Sequence, residues 1–210
     1  MNKICYVGLD VHKKNIVMGE SIETGKGNVT GEYLNTDSGV NKLLKKLKQI
    51  SCEHDVKICY EAGPCGFTLK RVLDKHGFTC DVAAPSLIPQ KAGDKIKTDK
   101  RDAIKLARLY RAGELTFISV PDEEKEAVRD LVRCRDDIMT DLKRAKQRLN
   151  HFFLRHGYSY PGSNWTEGHY KWISQIDIKN SILNSTMAHY FNEIEFLNMQ
   201  LKDIDKEIEM

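Results

Sequence analysis

The hydrophobic positions of this chain change their period along its length, and each period marks a different kind of element. Ile4–Leu9 is a short continuous apolar run ending at Asp10, the pattern of a buried strand. Asn15–Glu20 and Val29–Leu34 read as strands parted by the turn-rich Thr24-Gly25-Lys26-Gly27-Asn28, so the chain opens as a three-strand meander. Val40, Leu43, Leu44, Leu47 and Ile50 then recur at helical spacing behind Ser38, which reads as the N-cap. Val56–Tyr60 is the next strand, ending at Glu61 and the breaker Ala62-Gly63-Pro64. Phe67–Lys75 reads as a helix stopped by Gly77, and Phe78–Ala83 as a fifth strand. The order β-β-β-α-β-α-β predicts an α/β fold, a mixed sheet with helices on its faces.

Pro85–Lys97 is polar and lysine-rich, a loop or a short helix. Thr98 is placed to cap a helix from Asp99 to about Arg111, ended by Gly113. Pro121-Asp122-Glu123-Glu124 opens another helix, with proline and acids where a helix start favours them. Val128, Leu131, Ile138, Leu142, Ala145, Leu149 and Phe152 step by threes and fours, with Arg135 filling one seam position, and predict a long amphipathic helix to about His156. Gly157–Gly168 interrupts the pattern. Met187, Tyr190, Ile194, Leu197, Leu201, Ile204 and Ile208 then form a heptad seam. So narrow a stripe predicts a coiled-coil arm that joins copies into a homodimer or higher oligomer, with the basic helix 128–155 as the rival partner. The seam meets the end of the sequence without a cap, so the chain is expected to be truncated. The expected division is a first domain over 1–120 and a helical region over 121–210.

Composition narrows the function classes. With 40% hydrophobic and 30% charged residues, the 210-residue chain can bury a real core and is not of disordered type. No run approaches the roughly 20 apolar residues of a membrane helix, and the N-terminus enters a strand pattern with no room for a signal peptide, so a cytoplasmic protein with no membrane partner is expected. Six cysteines without a CxxC pair read as reduced, mostly buried thiols. Residues 86–160 hold 17 Lys/Arg against 12 Asp/Glu, whereas 165–210 hold 4 against 8, which separates a cationic surface from an acidic element.

Four acids carry the candidate chemistry. Asp10 and Glu61 stand at strand ends, where functional groups of α/β sheets gather. Asp99 and Asp102 are three apart in the first turn of a helix and share a face. Each alone is also what a strand-end turn, a loop or a helix start would use. Together, carboxylates meeting at one place repel unless cations neutralise them. An oxygen set without a His or Cys partner selects Mg²⁺ or Mn²⁺, and two such ions serve phosphodiester chemistry. Basic residues surround the pair: Lys91, Lys95, Lys97, Lys100, Arg101, Lys105 and Arg108, with Arg111 behind them. A second basic stripe of Lys143, Arg144, Lys146, Arg148 and Arg155 has Phe152 and Phe153 interleaved. Both sets suit a polyanion, or else are ordinary solvated faces.

Three blocks carry a resemblance: Val7-Gly8-Leu9-Asp10-Val11-His12-Lys13, then Tyr60-Glu61-Ala62-Gly63-Pro64, then Lys97-Thr98-Asp99-Lys100-Arg101-Asp102-Ala103. Over about residues 4–155 the chain resembles the IS110/IS1111 family of transposases. The resemblance implies a RuvC-like domain of RNase H fold, a DEDD catalytic and metal-binding set of Asp10, Glu61, Asp99 and Asp102, and a divalent metal. It also implies a coiled-coil linker, a C-terminal domain with a nucleophilic serine that these residues lack, and DNA recombination guided by a structured RNA. A RuvC-type junction resolvase, or a non-catalytic nucleic-acid-binding dimerisation module, remains as an alternative. An actin-like ATP-binding fold does not fit, because Asp10 is followed by Val-His-Lys-Lys-Asn rather than by a phosphate-wrapping glycine turn.

Overall fold

The structure, a computed structural model, describes residues 3–22, 27–89 and 98–209. The chain divides into two compact units, Met1–Val120 and Pro121–Met210.

The first unit is built on a five-stranded mixed sheet of order β3-β2-β1-β4-β5. β1 (Lys3–Val11), β2 (Asn15–Ile22) and β3 (Asn28–Leu34) form the antiparallel meander, while β4 (His54–Glu61) and β5 (Cys80–Ala83) join it in parallel. The mixed sheet is the architecture that the order of elements predicted, and it is RNase H-like, as the resemblance implies. Side chains alternate across it. Cys5, Val7, Leu9, Ile58 and Tyr60 share one buried cluster with Leu43, Leu44 and Leu47 of α1 (Asp37–Ser51) and Leu69 and Leu73 of α2 (Thr68–Lys75). The other face carries α3 (Asp99–Ala112), whose Leu106 packs with Cys59 and Ala83.

Helix ends follow local chemistry, with one correction. The N-cap of α1 is Thr36, whose hydroxyl accepts from the Gly39 amide, and not Ser38, which lies inside the first turn. Thr98 caps α3 by accepting from the Arg101 amide, and Gly113 closes it in the left-handed region at φ 71°. The far end of α3 is moored twice. The Tyr110 hydroxyl donates to Asp81 of β5, and Arg111 donates to the Ser21 hydroxyl at 2.9 Å. Pro85–Leu87 forms one 3-10 turn, and the rest of the expected loop or short helix to Lys97 lies largely outside the described residues.

In the second unit, α4 (Glu123–Arg155) and α6 (Ser181–Glu209) lie antiparallel. Arg135 bonds Asp205 at 2.5 Å and Arg148 bonds Glu193 at 2.6 Å, so thirteen steps forward along α4 match twelve steps back along α6. Ile194 is fully buried and packs with Leu142, Ala145, Leu149 and Phe152, as do Met187, Tyr190, Leu197 and Leu201. The heptad seam expected to join copies is therefore covered by α4 of the same chain. A short α5 (Glu167–Gln175), unforeseen in the sequence, adds Ile173 and Trp172 to this cluster. No described helix is long and apolar enough to cross a membrane. All six cysteines are free thiols, with Cys5, Cys59 and Cys80 buried, Cys65 intermediate, and Cys52 and Cys134 exposed.

Candidate active site

Leu9 of β1 pairs with Tyr60 of β4, both turned into the α1/α2 core. The next rung, Asp10 and Glu61, therefore belongs to the opposite face, the one that α3 covers. Gly8, one residue before Asp10, meets the α3 backbone directly: a Cβ there would stand 2.3 Å from the Ala103 carbonyl oxygen. Gly19, its antiparallel partner, meets the same helical turn. With no side chain between sheet and helix, the first turn of α3 is lowered onto the end of β1, and it is this turn that bears Asp99 and Asp102.

The convergence is direct for three side chains. His12 Nε2 stands 3.1 Å from Asp10 Oδ2 and 3.7 Å from Asp99 Oδ1. Ligand atoms of Asp10, His12 and Asp99 all lie within 4.8 Å of one another. Asp10 is the most enclosed of them, with 18% of its side chain exposed against 51% each for His12 and Asp99. Burial raises the Asp10 pKa above the usual carboxylate value. His12 opposes that rise by charge and hydrogen bond, and the charges of Asp99 and Asp102 add to it. Asp102 thus acts on Asp10 electrostatically without entering the 4.8 Å cluster. Glu61 also lies outside that cluster and is exposed at the end of its strand.

Sequence reasoning missed His12. The signal was its position: His12 follows two residues after Asp10, just past the end of β1, and reaches back to the Asp10 carboxylate. The expected oxygen-only set is therefore joined by an imidazole nitrogen. The donor chemistry fits a divalent cation, since burial holds the Asp10 carboxyl above its usual value and the charges of Asp99 and Asp102 add to that rise.

The basic residues divide. Lys100, Arg101 and Arg108 are exposed on α3, with Lys105 and Arg111 half-buried; Lys91, Lys95 and Lys97 lie outside the described residues. On α4, Arg148 is held by Glu193, Arg144 bonds Asp141 at 3.3 Å, and Lys146 sits 5.4 Å from the Trp165 ring centroid. Lys143 and Arg155 are exposed. Much of this stripe thus already has partners within the second unit.

The match to known proteins is extensive. The family model of IS110-type DEDD transposases, described as "Transposase", matches residues 7–157. A protein of Sinorhizobium fredii that carries a transposase name, y4qE, is 47% identical over 173 residues, 81% of this chain and 44% of its own length. The transposase for insertion sequence element IS1533 of Leptospira borgpetersenii is 39% identical over 213 aligned positions, covering 100% of this chain and 61% of its own length. The chain thus spans about half the length of these curated relatives. With an acid-bearing RNase H-like sheet and a family match over most of its length, the chain belongs to the IS110 family of DEDD transposases.

Proposed function

We propose that the chain is the metal-binding, RuvC-like part of a DNA transposase or site-specific recombinase of an insertion sequence, working with a guide RNA. The observation that carries this is the meeting of Asp10, His12 and Asp99 at one end of the sheet. In this reading Asp10 and Asp99 hold a divalent ion, with Glu61 and Asp102 completing the acid set. Without an ion, His12 Nε2 donates to Asp10; with an ion bound, the deprotonated Nε2 would join Asp10 and Asp99 as a ligand instead. Bound Mg²⁺ or Mn²⁺ would supply Lewis-acid stabilisation of charge on a phosphodiester oxygen. Lys100, Arg101, Lys105 and Arg108, on the helix that bears Asp99 and Asp102, hold the phosphate backbone beside the acids. No serine of these residues is assigned as nucleophile. The family and the transposase names of the relatives support DNA as the substrate.

Imidazole nitrogen is a ligand that Mg²⁺ takes reluctantly, so participation of His12 favours Mn²⁺. Calorimetric titration of the chain with each ion tests the site. Saturable Mn²⁺ binding, weakened by Asp99→Ala and brought closer to the Mg²⁺ affinity by His12→Ala, is the expected result. Equal binding by wild type and Asp99→Ala would sink the proposal. In parallel, affinity for duplex DNA should fall steeply with salt, because each neutralised phosphate releases counterions.

A further inference from the structure

The turn between α4 and α5 holds an outlier: Trp165 has φ +65°, and among the described residues it is the one non-glycine residue in the left-handed region. A bulky side chain takes that conformation only where its surroundings enforce it. Here the Trp165 amide donates to His169 Nδ1 at 2.9 Å. His169 is 1% exposed and lies flat on Trp172, with rings 13° apart in plane and 5.5 Å between centroids. Burial lowers the His169 pKa, which keeps Nδ1 an acceptor.

The consequence is an indole brought against the flank of α4. Trp165 forms one side of a groove of about 280 Å³ whose other lining includes Met139, Lys143, Lys146, Gln147 and Asn150. The lining combines an aromatic ring, a polarisable thioether, two ammonium groups and two amides that both donate and accept. None of the lining residues is acidic. The volume sits just under the about 300–1,000 Å³ of small-ligand sites, which suits one nucleotide and excludes a duplex.

We propose that this groove seats an unpaired nucleotide of a single-stranded nucleic acid, its base stacked on Trp165, its edge met by Gln147 or Asn150, and its phosphate held by Lys143, with Lys146 moving from its place 5.4 Å from the Trp165 ring centroid to join it. Stacking on an aromatic ring is tolerant of base identity because every base has a π-face. A paired base cannot enter, since both its faces are already stacked. The inference rests on reading the chain as a nucleic-acid-binding protein, and adds a site that the acids of the first unit do not need.

Indole fluorescence of the full chain tests it, in a Trp172→Phe background that leaves Trp165 as the reporter. Short oligouridylate and oligothymidylate are each titrated, with blunt duplex DNA as competitor. Quenching by either single strand supports the groove, and the stronger quencher identifies RNA or DNA as the source. Lys143→Glu should weaken single-strand binding about tenfold. Lys125→Glu makes the same change in charge about 27 Å away along α4, and should weaken it by less than about threefold. Trp165→Leu, which removes the reporter and is followed instead by anisotropy of a dye-labelled oligonucleotide, should weaken binding about tenfold as well; if that variant fails to fold, the two lysine variants decide. Equal weakening by both, absence of quenching, or equal competition by duplex overturns the groove. Salt-sensitive duplex binding that survives such a result leaves the proposed function standing, whereas loss of all nucleic-acid binding removes both.

Discussion

Gly8 of β1 and Ala103 of α3 are in backbone contact, with 2.3 Å left between a Cβ built on the glycine and the alanine carbonyl oxygen. Two residues on from Gly8 is Asp10; the residue before Ala103 is Asp102. The approach of helix to sheet is therefore what sets the spacing of the acids, and because the two nearest obstructing atoms are backbone, a side chain at Gly8 can be met only by moving the helix.

Gly8→Ala must lift α3 off the sheet. The expected loss is about 1–3 kcal/mol, the range for overpacking a tight interior, or a fall in Tm of about 2–4 °C per kcal/mol for a chain of this size. Thermal melts followed by circular dichroism measure it. The Mn²⁺-induced rise in Tm should shrink in the same variant, and an unchanged Tm would contradict the role given to this contact.

Asp10→Asn should stabilise the metal-free protein. The folded Asp10 carboxyl has a raised pKa, so between its ordinary value of 3.8 and the folded value the native state holds more protons than the unfolded one. Stability therefore falls as pH rises through that window, and the deficit persists at neutral pH. Removing the charge should raise the Tm of the metal-free protein, while abolishing most of the Mn²⁺ response. A variant less stable than wild type without metal would contradict this reading of the site.

His169 gives the second unit a pH dependence of opposite sign. Its pKa is lowered from the ordinary 6.5, so the unfolded state takes up a proton first as pH falls. Its contribution is complete above about 6.5 and is lost as pH drops through the lower folded value. Urea melts at pH values above and below 6.5 should show that decline, and His169→Gln, neutral throughout, should flatten it.

Ile194→Ala removes a fully buried side chain from the α4–α6 pair and should cost about 2–5 kcal/mol. Arg148→Ala, which breaks an exposed ion pair with Glu193, should cost less than about 1 kcal/mol. Since the seam is covered within one chain, the Ile194→Ala loss should not vary with protein concentration. A concentration-dependent melt would show that copies share the seam.

Period and capping chemistry act over a few residues, and what depends on them was legible in the sequence: the five strands, the long helices, Thr98 ahead of Asp99 and Asp102, and Asp10 and Glu61 at strand ends. The same locality explains the errors. Thr36 and Ser38 are both capable caps, and where β3 leaves the sheet decides between them. α5 was passed over because much of its buried face is His169 and Trp172 rather than an aliphatic stripe. The heptad spacing of α6 announced a buried face and left a second copy and the helix 128–155 as rival covers. Only tertiary packing supplied α4 as the cover, and only the Gly8–Ala103 contact brought Asp99 to His12 and Asp10. Spacing along a chain determines which side a residue faces; which residues meet there depends on how closely two distant backbones can approach.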